Sequence, residues 1–504
     1  MGILAQYLMF IFTCSPNLQA SLLFVIILLA VRWLLRSPDN LPPGPVGWPV
    51  VGSALQLKGQ PLHEAFTILA KQYGSIFSLY LGTSLVVVLN DAISIQEALI
   101  KQADSFSGRK VPEAVKRSFP MKGTILFGTG EDWHALRRFT VASMRNLGVG
   151  KNNMALCINE EARILCDSFE KHGGRPFNPL TLVSSAISNV ICQMSFGHRY
   201  DYDNEAFVRI QDNLRKRMSF SRASLVNYFP FLFYTPVFKE LRELDEERRR
   251  DVQAVVYEHL ATFDPKHFRD MIDLFFSEVQ QKKDGTNSKF PFVETDVERL
   301  LHDLFGAGTD TSANMIMWMI VVMMKYPDVQ KKMQEELDRV VGCGRQPSWS
   351  DRPNLPYCDA VLLELLRYRP TGALAVPHKA DEHSNLMGYN IPKDTMVMVN
   401  IYAAHHDPYY WEEPGQFRPE RFLSANGTEV VKPTHPSYLP FGIGRRVCAG
   451  EHLARMELFL FTVSLLQRFT FTVSESNPSP SMDGIFGITL SPCPFRVCAS
   501  PRHT

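Results

Sequence analysis

The chain has 504 residues, 45% hydrophobic and 21% charged, an ordinary globular composition with material for a large core. A net charge of +1 excludes a nucleic-acid binder that works through overall charge, though not a local basic face. Nine cysteines, odd in number, scattered and without a Cys-x-x-Cys pair, speak against a disulfide-stapled secreted scaffold and leave no zinc signature. In the reducing compartment this implies, the sequon Asn426-Gly427-Thr428 stays unused.

Residues 18–35 are almost wholly apolar, with Arg32 near one end and Trp33 and Arg36 placed as interfacial anchors. The run just reaches spanning length, and no basic leader or small-x-small cleavage site marks it as a signal peptide. Positive charge only after the span puts the downstream chain in the cytosol. Residues 3–12 form a shorter apolar stretch, cut off by Ser15-Pro16-Asn17 and expected in or on the membrane. Leu41-Pro42-Pro43-Gly44-Pro45 reads as a stiff spacer. The expected division is an anchor over 1–36, a proline-rich hinge over 37–50 and one large domain over 51–504.

Residues 63–73 read as an amphipathic helix, and 76–81 with 85–89 as a strand pair turned at Gly82-Thr83. Residues 106–130 mix Pro, Gly and aromatics and read as a long loop, a class that often carries function. Trp133 and Arg137 come next on a helical segment; four apart, they share a face and are placed to hold an anion together. Helical periodicity dominates 151–263 and breaks around 227–236. The aromatic run 228–234 either lines a pocket, touches the bilayer or packs between helices. The block Glu246-Glu247-Arg248-Arg249-Arg250 reads as a solvated helix face, and 282–288 as a flexible loop. Gly148-Val149-Gly150-Lys151 lacks the spacing and final hydroxyl of a phosphate-binding loop, and no dinucleotide fingerprint appears. Electrons, if needed, come from another protein.

Residues 295–325 read as one helix of about 45 Å, interrupted by Gly306-Ala307-Gly308-Thr309-Asp310-Thr311-Ser312. Small residues let another group lie against it, the Thr311 hydroxyl loosens local backbone bonding, and Asp310 offers a proton acceptor in an apolar stretch. Asp303, four residues before Ala307, either looks into the pocket or binds backbone of the 106–130 loop. On a helix over 354–368, Glu364 and Arg367 stand side by side, and Pro419-Glu420-Arg421-Phe422 supplies another cation. Residues 371–377 look extended and lead into His378.

Phe441-Gly442-Ile443-Gly444-Arg445-Arg446-Val447-Cys448-Ala449-Gly450 offers one thiol on a glycine-built turn before a helical run over 452–471. Gly442, Gly444 and Gly450 allow positive φ and close approach to a flat partner. Arg446 and the helix amides favour a thiolate at Cys448, a good axial ligand for iron.

The cysteine segment resembles the haem-binding loop of the cytochromes P450, the haem-thiolate monooxygenases. Trp133-x-x-x-Arg137, Ala307-Gly308-x-Asp310-Thr311, Glu364-x-x-Arg367 and Pro419-Glu420-Arg421-Phe422 resemble its other elements in the right order. The resemblance implies a mainly helical fold with a small β-rich lobe and an N-terminal transmembrane helix. It implies haem b (iron protoporphyrin IX) with Cys448 as axial thiolate ligand and Phe441 and Ala307 beside it. Trp133, Arg137, His378 and Arg446 would hold propionates. Thr311 would support bound dioxygen, Asp310 would relay protons, and Ala307 and Gly308 would leave room for oxygen and substrate. Glu364, Arg367 and Arg421 would form a buried structural triad.

The loop over 106–130 and the turn over 484–488 would cap a lipophilic substrate such as a steroid, fatty acid or foreign compound. In style the chain resembles animal microsomal members. These imply the endoplasmic reticulum membrane, O2, NADPH-cytochrome P450 reductase, cytochrome b5 as an optional second donor, contact with membrane lipid and no nucleic acid. Arg137, Arg138, Arg145 and Arg445 would steer an acidic flavoprotein, and His134, where Arg or Lys is expected, would weaken that docking. Two alternatives stay open: a haem-thiolate hydroperoxide isomerase or dehydratase, which needs no donor and has little use for Asp310-Thr311, and a non-enzymatic haem-binding sensor.

Overall fold

The computed structural model describes residues 39–48, 51–57, 59–219, 226–227, 230–286, 289–474 and 479–502, with a few positions between 20 and 28. Among the described residues no helix is long and apolar enough to cross a membrane, and the span expected over 18–35 lies largely outside them. The rest is mainly helical with small sheets, as the resemblance implies.

Helix α1 (Leu62–Tyr73) precedes the hairpin β1 (Ile76–Leu81) and β2 (Ser84–Leu89), which pair antiparallel around Gly82 at φ 61°. The long helices are α2 (Gly130–Asn146), α3 (Asn152–Glu170), α4 (Leu180–Phe196), α5 (Glu205–Ser219), α6 (Lys239–Thr262), α7 (Met271–Lys283) and α8 (Val297–Lys325). They continue with α9 (Pro327–Val340), α10 (Pro356–Tyr368) and α11 (Glu451–Arg468). Interleaved are β3 (Gly108–Arg109), β4 (His378–Lys379), β5 (Ser384–Leu386), β6 (Tyr389–Ile391), β7 (Met396–Val399), β8 (Phe469–Thr472), β9 (Gly484–Phe486), β10 (Leu490–Pro492) and β11 (Cys498–Pro501).

One sheet runs β1-β2-β7-β4-β3, parallel only between β2 and β7, where Val86 pairs with Met396 and Leu89 with Val399. Alternation along β2 feeds two cores: Val87 and Leu89 pack into one apolar cluster, Val86 and Val88 into another. The largest cluster lies among the helices and draws on α3, α4, α7, α8 and α11. Helix α8 runs through it with nearly every side chain buried, the mark of a helix apolar all round. It starts two residues later than its pattern predicts, because Glu294–Asp296 forms a 3-10 turn in which Asp296 accepts from the Val293 amide. Pro327 ends it and opens α9, and Pro356 likewise sets the start of α10.

Three expectations change. The 106–130 stretch is not one loop, since it holds β3 and a short helix, Glu113–Ser118. The 230–234 part of the aromatic run is a 3-10 turn with Phe233 buried while Phe231 and Tyr234 point outward; residues 228–229 lie outside the described residues. Arg248 is not solvated: its Nη2 donates to the His302 carbonyl at 2.6 Å, so this face of α6 grips α8.

Candidate active site

The cysteine loop is positioned from behind. Gly442 and Gly444 both have φ 75°, and a Cβ on Gly444 would lie 2.2 Å from the Leu99 carbonyl oxygen. Gly450, at φ −92°, is simply the residue before α11, so the positive φ expected there is absent. Cys448 N donates to the Phe441 carbonyl at 2.9 Å, and the Arg455 guanidinium lies 4.7 Å from the Phe441 ring centre. Leu439 N donates to His405 Nε2 at 2.8 Å. Because Nε2 accepts, the ring proton sits on Nδ1, which donates to the Arg367 carbonyl at 3.1 Å. Burial, reinforced by the Arg367 charge, pushes His405 down to about 3, so the ring stays neutral.

Arg367 in turn makes two 2.7 Å bonds to Glu364, both side chains fully buried. Arg421 Nε sits 3.2 Å from the same carboxylate, and Arg418 N donates to it at 2.8 Å. The remaining Arg367 donors go to the carbonyls of His405, Pro414 and Gln416. The triad expected from spacing is therefore present and satisfied, and it reaches the cysteine loop through His405, a residue the sequence reading did not single out.

Beside this loop, three guanidiniums converge, with Asp381 acting on Arg446 only from beyond ion-pair distance. Arg137 Nη2 donates to the Val447 carbonyl at 2.6 Å, which brings it next to Cys448. Arg446 lies 3.5 Å over the Trp133 ring and donates to the carbonyls of Ser107 and Gly128. Arg109 donates to the Val376 carbonyl at 2.5 Å and arrives through strand pairing, its Cα opposite His378. None of the three has an ion-pair partner among the described residues, and Arg109 Nε and Arg446 Nη1 are buried without any acceptor. Burial first and their mutual repulsion second push Arg109 to about 9 and Arg446 to about 10. A cluster so costly by itself fits a ligand carrying more than one carboxylate, as haem does. Arg109 was missed because nothing in a lone Arg between Gly108 and Lys110 announces its partner strand.

Two expectations here need correction. The Trp133 indole N–H donates to the Ile125 carbonyl at 3.0 Å, so the ring supports Arg446 rather than offering its own donor. His378 Nδ1 bonds the Phe106 carbonyl at 2.8 Å, and burial pushes the ring down to about 3. Neutral His378 thus presents only a lone pair at Nε2, and an anion there would favour its second proton.

Cys448 is exposed, yet desolvation pushes its thiol up against the Gly450 amide and Arg137, which pull it down. The Gly450 amide and the Arg137 charge thus act in the direction expected, against burial. Ala307 is likewise exposed on a helix whose Leu304, Phe305 and Thr309 are buried. Thr311 Oγ1 donates to the Ala307 carbonyl at 2.7 Å, the back-bond expected of it. Gly308, by contrast, leaves no room for oxygen: a Cβ there would meet Ile191 of α4 at 2.6 Å, so its smallness serves helix packing.

Asp303 takes the backbone-binding role. It accepts from Thr124 Oγ1 at 2.6 Å and from the amides of Ile125 and Leu126, and pairs with Arg299 at 2.8 Å. Asp310 accepts from Thr489 Oγ1 at 2.6 Å, and burial raises its pKa. On the outer face Arg138 and Arg145 are exposed, Arg137 is turned inward, and Arg445 is held by Asp104 at 2.5 Å.

A family model for cytochrome P450 matches residues 42–499. Cytochrome P450 2U1 of Mus musculus is 37% identical over 500 residues, covering 94% of both chains. Cytochrome P450 2U1 of Homo sapiens is 36% identical over 507 residues, covering 95% of this chain and 92% of that protein. Cytochrome P450 2D6 of Homo sapiens is 37% identical over 481 residues, covering 94% and 95%.

Proposed function

Because the chain belongs to the cytochrome P450 family and is therefore a haem-thiolate monooxygenase, we propose that it inserts one oxygen atom of O2 into a lipophilic substrate. The electrons would come from NADPH through a separate reductase, with cytochrome b5 as an optional second donor. The observation that carries the site assignment is the convergence of Arg109, Arg137 and Arg446, none in an ion pair among the described residues, beside accessible Cys448. When bound, haem supplies dioxygen activation, which a cysteine thiolate favours.

The chain's own residues do the rest. Cys448 is the thiolate ligand, held by the bond from its amide to Phe441 and by the loop's tie to His405. Arg109, Arg137 and Arg446 take the propionates, and His378 joins them once protonated. Ala307 keeps the distal surface open, Thr311 offers its hydroxyl there, and Asp310 holds and releases the proton. Asp303 is committed to Arg299 and the 124–126 backbone, so the pocket offers no free acid there for a basic substrate. This favours a lipophile without a basic centre, a steroid, fatty acid or foreign compound. Residues 18–35 would anchor the chain in the endoplasmic reticulum membrane, with the domain over 51–504 facing the cytosol. An acidic reductase would dock on Arg138 and Arg145.

The test is the reduced, carbon monoxide difference spectrum of membranes expressing the chain, beside Cys448→Ser. A strongly red-shifted Soret band that the substitution abolishes supports thiolate ligation by Cys448. An imidazole-type band in folded wild-type protein removes it. Product formation that needs NADPH and added reductase then separates a monooxygenase from a hydroperoxide isomerase, which would turn over without either.

A further inference from the structure

Three polar side chains on one stripe of α8, each four residues from the next, grip the C-terminal turn. Trp318 Nε1 donates to the Leu490 carbonyl at 3.0 Å, Asn314 Nδ2 donates to Thr489 Oγ1 at 3.1 Å, and Thr489 Oγ1 donates to Asp310 Oδ2 at 2.6 Å. The direction of each bond is fixed. An amide nitrogen only donates, so Thr489 accepts from Asn314 and must spend its single proton on Asp310. The turn is held from the other side by Leu490 N, which donates to the Thr371 carbonyl at 2.8 Å, and it presents Ile485 and Ile488 outward.

We propose that Thr489 is a positioning residue for Asp310: its hydroxyl occupies Oδ2, holds the carboxylate together with Asn314, and makes that acid sensitive to how the 484–490 turn is seated. A proton that the carboxylate takes from water leaves from the same group; no other bond changes at either side chain. Substrate that lifts the turn withdraws the donor from Asp310 and tightens its hold on the proton. Burial already raises the acid, and the Thr489 bond is the largest effect opposing that rise. This rests on the reading of Asp310 as a proton carrier.

The experiment uses the full-length, haem-loaded protein without substrate. The infrared carboxyl signal of Asp310 is identified by subtracting D310N and followed in T489V and T489S, with amide exchange measured across 484–492. The expected result is a shifted Asp310 signal and about tenfold faster exchange in T489V, as for loss of a charged hydrogen bond, with both restored in T489S. An Asp310 signal unchanged in T489V overturns the inference alone, and so does a T489S variant that behaves like T489V, because bulk rather than the hydroxyl would then matter. A signal that never interconverts between acid and carboxylate on titration removes Asp310 as a proton carrier, and the inference with it.

Discussion

The cysteine side of the site and the α8 side are built on opposite plans. Behind Cys448 stand full charges in direct contact: Glu364 is shared by two arginines and a backbone amide, and neutral His405 passes the constraint to Leu439. Along the middle of α8 stand small side chains and hydroxyls, with one raised acid held by a distant threonine. Removing one partner of a buried ion pair costs far more than removing one neutral hydrogen bond. The side that places a ligand atom is therefore rigid, while the side where protons and substrate pass keeps room to adjust.

The sharpest way to break this comparison is Cys448→Ser, expected to abolish the red-shifted carbon monoxide band outright while the protein still folds. Next is Arg367→Leu, which leaves Glu364 buried with only Arg421 beside it. We expect a loss of about 3–5 kcal/mol, the usual cost of a broken buried pair, read as failure to accumulate folded protein; Thr311→Ala should fold normally.

A third probe is Glu457, on α11, whose carboxyl accepts from Ser312 at 2.6 Å and is pushed up to about 8 by burial from an ordinary 4.5. Raised in the folded state, such an acid contributes stability below its unfolded value that is lost as pH rises towards 8. Glu457→Gln should therefore leave stability little changed near pH 4 and raise it by about 4–5 kcal/mol in mild base, measured by thermal unfolding across that range.

The smallest expected effect has two signs. Arg109→Leu removes a desolvated charge from a repelling cluster, so it should stabilise haem-free protein by about 1 kcal/mol while weakening haem retention about tenfold. Unfolding of the apoprotein and the rate of haem transfer to an acceptor protein measure the two halves. Equal loss in both would mean Arg109 only packs.

Contacts between residues close along the chain could be read without coordinates. Glu364 with Arg367 and Thr311 with Ala307 meet at helical spacings that sequence displays directly, and the turn before Cys448 carries its glycines in order. Meetings across the chain could not be read. Arg109 joins His378 over 269 positions because two short strands pair, and Thr489 reaches Asp310 over 179. Gly308 was assigned to the pocket because a helix pattern does not say which neighbour fills the space of a missing side chain.

That missing side chain sets the rotation of the whole helix. Each residue turns an α-helix by about 100°, so the notch at Gly308, filled by Ile191, works as a keyway that clocks the neighbouring Ala307 towards the open interior. An alanine at 308 would press on the end of the Ile191 side chain, which must turn aside for α8 to keep Ala307 and Thr311 aimed as they are. The alignment of the distal face is thus tuned by a contact with α4 about a quarter-turn round the helix.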